Sequence, residues 1–231
     1  MKKILLIGIA LVSGIFLSNA QPAEKQAESL AHRVFISFHG GAALDIFENA
    51  FSYGENGRNS DLITHQGGLA LGYNFSDAYS IRLSGAYGSD AGACNTRETS
   101  AHGFYPYSFK HINAFVDGII NLNGLAGNVT YFRPKLYAGV GGARTFGFTD
   151  SGHPWQKVIP KNNAIGFRLG AIIEYDFQSG FGLFADLCGE GWSDNYNGLK
   201  PSDIDKESTT GYPGFPLDLR GCVSLGLTYN F

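Results

Sequence analysis

Leu219-Arg-Gly-Cys-Val-Ser-Leu-Gly-Leu-Thr-Tyr-Asn-Phe231 is the stretch on which the fold turns. Leu219, Val223, Leu225, Leu227, Tyr229 and Phe231 fall on one side of an extended chain; Arg220, Ser224, Thr228 and Asn230 fall on the other. Successive side chains point to opposite faces of a strand, so this segment has one greasy face and one polar face. Working back, the same period of two recurs in seven further segments of roughly ten to fourteen residues.

The seventh places Phe181, Leu183, Ala185 and Leu187 opposite Asp186, Cys188 and Glu190, and the sixth places Ile165 through Tyr175 opposite Arg168, Glu174 and Asp176. The fifth alternates Phe132, Leu136 and Val140 with Arg133, Lys135 and Tyr137, and the fourth alternates Ile112, Val116 and Ile120 with His111, Asn113, Asp117 and Asn121. The third sets Ile81, Leu83 and Tyr87 against Arg82 and Ser84. The second sets Leu69, Leu71 and Tyr73 against Thr64, Gln66 and Asn74, with His65 on the greasy face. The first sets Val34, Ile36 and Phe38 against Ser37, His39 and Asp45. No apolar run after Ala20 is long enough to span a bilayer as a helix.

A soluble sandwich with its greasy faces inward would also alternate. Two features favour the inverse arrangement. The polar face mixes single charges (Arg82, Asp117, Arg133, Lys135, Arg168, Glu174, Asp186, Arg220) with Gly, Ser, Thr and Asn, which suits a narrow barrel interior rather than a water-facing wall. The opposite face is aliphatic, with Phe75, Tyr79, Phe132, Tyr175, Phe181, Tyr229 and Phe231 at strand ends, the girdle pattern of a membrane barrel. The connections also alternate. Segments 46–61, 89–106, 144–163 and 191–217 are long, and those near Ser76, Asn123 and Gln178 are short. A meander inserted from one side sorts its loops this way. The expectation is an all-β, eight-stranded antiparallel up-and-down transmembrane β-barrel over 33–231.

Composition agrees. Charged residues are only 16% of the 231, and 32 are Gly, which disfavours a helix-rich soluble domain. The formal net charge is −3 with no basic tract, so nucleic acid is not an expected partner. Lys2 and Lys3, the apolar run from Ile4 to Leu17 and Ser18-Asn19-Ala20 have the three parts of a cleaved secretory signal peptide over 1–20. Residues 21–32 read as a short polar leader.

With these features the chain resembles the small OmpA/OmpX-like family of eight-stranded bacterial outer-membrane barrels. The resemblance implies residence in the outer membrane with both termini periplasmic, contact with outer-membrane lipid and lipopolysaccharide, and a monomer. It also implies that Leu227, Tyr229 and Phe231 form the signal read by the barrel assembly machinery. Members of the OmpA type often continue into a soluble domain, and this chain stops at Phe231.

For activity, the sequence offers no catalytic set, metal site or cofactor fingerprint, and no cofactor is expected. Eight strands enclose a lumen that side chains fill, so the eight charges above are expected to pair there, with a gated ion path as the alternative. The long loops carry Phe51, Trp155, Trp192, Tyr196 and other rings, so a surface ligand could bind there, or the rings could pack the loops together. Related barrels modify lipid A with a membrane-facing Ser and His. His65 is suitably placed, but no His-x-Ser pair accompanies it. Cys188 and Cys222 face the lumen at similar heights on neighbouring strands, making a disulfide feasible, with Cys94 free in the second loop. Pro134 cannot donate to a ladder and should sit at a strand start or bulge.

Overall fold

The computed structural model describes residues 27–46, 63–94, 105–149, 161–177, 180–193, 196–197 and 217–231. The signal segment and most of each long loop lie outside these residues. Eight strands follow one another: β1 (Val34–Ile46), β2 (Ile63–Asn74), β3 (Tyr79–Cys94), β4 (Tyr105–Asn121), β5 (Phe132–Thr149), β6 (Lys161–Asp176), β7 (Phe181–Ser193) and β8 (Leu217–Asn230). Each pairs antiparallel with its sequence neighbours, and β8 pairs with β1, from Phe35↔Asn230 to Ile46↔Leu219. The barrel is closed, which removes every free strand edge.

The alternation maps onto the wall. Ile165, Val140, Leu225 and Leu187 are 76%, 69%, 68% and 63% exposed, whereas Asp117, Arg220 and Asp45 are buried. The outward rings gather at the short-turn end, where Tyr175 meets Phe177 edge-on and Tyr229 contacts Phe181 and Phe231. At the opposite end, among the described residues, exposed outward rings are sparse, with Tyr87 and Phe167 the large ones. The inward face also carries large apolar groups that the strand pattern did not single out: Phe35, Phe115, Ile119, Ile172 and Phe184.

Two expectations, strand length and the β4–β5 turn, change in detail, and that for Pro134 does not. The strands run further toward the long loops than the alternation of large residues suggested: β3 and β4 pair as far as Cys94↔Tyr105. Cys94 therefore ends a strand instead of lying in a loop. The β4–β5 connection, expected as a turn, contains a one-turn helix, α1 (Leu122–Leu125), closed by Gly127 at φ +74°. Pro134 faces Ile173 on β6, but the β4–β5 ladder ends at Asn121↔Lys135, so its missing N–H falls at a strand start.

Glycines let large luminal groups fit. A Cβ on Gly41 would run into the Val223 carbonyl and stand 2.6 Å from Ser224 Cα, and Gly170, Gly166 and Gly226 lie against the rings of Tyr137, Trp192 and Phe184. High Gly content here is the counterpart of luminal bulk.

Candidate functional site

The lumen stacks its polar groups in three layers. Nearest the short turns, Arg133 contacts Asp176 and approaches Asp77 at 4.0 Å, while Lys135 Nζ bonds Glu174 at 2.8 Å. In the middle, fully buried Asp117 accepts from Arg82 Nε and Arg168 Nε, each at 2.7 Å, and from Arg168 Nη2 at 2.5 Å. Arg168 also contacts Ser84 Oγ and lies 4.3 Å over the Phe115 ring. Arg82 stacks at 4.6 Å on Tyr137, whose hydroxyl donates to Asp186 at 2.9 Å.

Toward the long loops, Arg220 is the hub. It reaches Asp45 at 3.2 Å, Asp90 at 2.9 Å and Glu190 at 3.2 Å, and donates to Gln66 at 2.8 Å. His111 Nδ1 stands 2.8 Å from Asp90, which also accepts from Tyr196 Oη at 2.6 Å. The predicted charges thus fall into separate groups: Arg133, Lys135 and Glu174; Arg82, Asp117, Arg168 and Asp186; and Arg220. Arg220 meets carboxylates that the sequence reading left out (Asp45, Asp90 and Glu190). Buried charges require such matching, because an unpaired one costs several kcal/mol, about 3–5 where a partner is removed.

Both ends of this column are covered. Trp192 and Tyr196, expected on an external loop, are fully buried and stacked, with centroids 4.9 Å apart and planes within 7°. Asn197 is held beside them by Asp218 through bonds of 3.1 and 2.9 Å. At the other end residues 27–33 cross beneath the barrel. Ser29 Oγ and the Leu30 N–H donate to Asp77 at 2.7 and 2.8 Å, and Arg133 donates to the Glu28 carbonyl at 3.0 Å. This strap and the rim border a half-open recess of about 440 Å³ lined by Leu30, Arg33, Tyr131, Asp176 and Asn230. An interior cavity between Arg82, Arg168, Glu190 and the two cysteines measures about 20 Å³, room for about one water.

Cys188 and Cys222 are direct register partners and both are buried, but both thiols are free, so the expected disulfide is not formed in this structure. On the outer wall the structure brings together a pair that sequence spacing hid: Ser89 Oγ is 3.5 Å from His65 Nδ1 across β2 and β3. Among the described residues no carboxylate bonds His65, and no group of three or more His, Cys, Asp or Glu could hold a metal ion. Leu227, Tyr229 and Phe231 lie on the outward face at the end of β8.

No family model matches the chain, and no curated protein matches it. Among solved structures it is similar to the N-terminal β-barrel domain of Pseudomonas aeruginosa OprF, with 16% identity, 88% of this chain and all of that one covered, and a TM-score of 0.48. It is also similar to Neisserial surface protein A, with 14% identity, 86% and 97% coverage and a TM-score of 0.49. A major outer membrane protein from Thermus thermophilus gives 16% identity, 87% and 100% coverage and a TM-score of 0.49. Likenesses at this level fix neither family nor role.

Proposed function

We propose that this chain is an integral barrel of the bacterial outer membrane, monomeric and non-catalytic, with a structural or surface-interaction role. The observation that carries the reading is the inverted wall. Leu, Ile and Val face outward along every strand, while every carboxylate in the described strands faces the lumen. An exposed apolar surface that encircles the molecule is stable only against hydrocarbon. The lumen then serves as a packed polar core, and the covered ends disfavour solute flow.

In this reading both termini lie on the periplasmic side with the short turns, Leu227, Tyr229 and Phe231 address the assembly machinery, and lipopolysaccharide contacts the outer leaflet half of the wall. Loops 46–61, 89–106, 144–163 and 191–217 are the surface available to an external ligand. Membrane fractionation with gel mobility before and after boiling tests the reading. Recovery in the outer membrane with a heat-dependent shift is expected; a soluble protein without a shift refutes it.

The Ser89–His65 pair favours one second reading, a lipid A-modifying enzyme. Its 3.5 Å separation is long for a nucleophile and base, and His65 has no acidic orienter among the described residues. Lipid A mass spectra with and without His65→Ala separate the two readings: identical species support the non-catalytic barrel.

A further inference from the structure

The strands carry three cations outside the lumen, and all three lie together. Lys110 on β4, Arg144 on β5 and Lys161 on β6 are exposed and outward-facing. Register places them around one ring: Lys110 pairs with Phe146, Phe146 pairs with Lys161, and Arg144 is two residues below Phe146 on the same face. Two strand spacings separate Lys110 from Lys161, about 10 Å, and one side-chain repeat separates Arg144 from Phe146, about 7 Å. Long Lys and Arg side chains converge readily over such a triangle. Among the described residues none of the three is in an ion pair, and the strand carboxylates are all turned inward.

We infer that Lys110, Arg144 and Lys161 form a binding site for the phosphate-bearing headgroup of an outer-leaflet lipid. The position argues for a lipid over a soluble anion. The patch sits on the lateral wall at the long-loop end, directly above apolar wall. Arg144 is flanked by Ile112, and the next outward row down is Ala114, Gly142 and Ile165, followed by Val116, Val140 and Phe167. Ala114 and Gly142 leave a shallow trough below Arg144, bordered by Ile165 at 76% exposure. A headgroup phosphate on the three cations therefore sets its acyl chains along that trough. The cationic half of the site would not be expected on a wall that met only hydrocarbon, since a cation there is costly except near an interface.

The inference rests on the outer-membrane reading and names the lipid contact within it. The test uses the full barrel purified in detergent, titrated with phosphorylated lipid A, with the same lipid after enzymatic dephosphorylation, and with inorganic pyrophosphate, bound lipid being read by native mass spectrometry. Phosphorylated lipid A is expected to bind at least about tenfold more tightly than the dephosphorylated form, as loss of charge-assisted contacts requires. The combined variant Lys110→Ala, Arg144→Ala, Lys161→Ala is expected to abolish that preference while keeping the boiling-dependent gel shift. Equal binding of the two lipids by the native chain overturns the proposal, as does a triple variant that retains the preference. Pyrophosphate binding as tight as that of the lipid would show a free-phosphate site and overturn the lipid assignment. The native-chain comparison needs no variant to fold, and failure of fractionation, by contrast, would count against the membrane reading itself.

Discussion

Asp117→Asn is the sharpest probe of how the lumen holds the barrel together. Asp117 is fully buried and receives three charge-assisted bonds, at 2.7, 2.7 and 2.5 Å, from Arg82 and Arg168. Asparagine keeps the shape but removes the charge and presents one amide N–H₂ to guanidinium donors. Each charged bond is worth about 1.5–3 kcal/mol. Part of the loss is recovered: Arg82 retains Asp186 at 3.9 Å, and Arg168 retains Ser84 and the Phe115 face. The expected net destabilisation is about 3–5 kcal/mol, the cost of breaking a buried ionic group from one side. Urea unfolding of the vesicle-inserted protein, followed by Trp fluorescence and by gel mobility, measures it. A loss below about 1 kcal/mol would refute the reasoning, because the two guanidiniums would then have no need of the carboxylate. A companion variant, Asp117→Leu and Asp186→Leu with Arg82→Met and Arg168→Met, removes the whole group and should recover most of the loss, as well-packed apolar replacements of buried ion groups do.

Gly41→Ala should destabilise by about 1–3 kcal/mol, since its Cβ meets strand backbone that cannot yield, whereas Gly189→Ala, with nothing within 4 Å, should be neutral or mildly stabilising in the same unfolding assay. Asp77→Ala removes both bonds to Ser29 and Leu30, so limited proteolysis should cut the strap near residues 27–33 much faster than in the native chain; unchanged cleavage would mean that Arg133 and packing hold it alone. Planar bilayers containing the native protein should show no discrete conductance steps, because paired charges fill the lumen beneath the buried Trp192–Tyr196 stack; regular openings would require that stack to move.

The strand faces were legible because a period of two survives in every segment, even through Pro134. Strand height was not. Near the long loops the outward residues become small or polar (Ala91, Ser89, Ser108, Asn163), so alternation of large apolar groups fades while the ladder continues. Alternation therefore does not reach Asp90, and it leaves Trp192 beyond the last strand residue instead of inside the mouth. Asp45 and Glu190 were legible as inward-facing, but their attachment to Arg220 needs the β1–β8 and β7–β8 registers. Ser89 and His65 are 24 residues apart, so no spacing motif could join them. The cysteines teach the reverse lesson. Their register was legible, yet direct pairing on neighbouring strands leaves both thiols free in the structure.

The seam between β1 and β8 has a consequence for how the molecule comes to exist. Its partners, Phe35 and Asn230, lie near opposite ends of the sequence, so the last ladder waits for nearly the whole chain. Every precursor short of β8 is an open ribbon with two unpaired edges and a greasy face, the form most prone to sticking to its own kind. Closure is therefore all or nothing: a chain cut before Leu219 does not lose one eighth of a barrel, but the condition that makes the other seven strands safe.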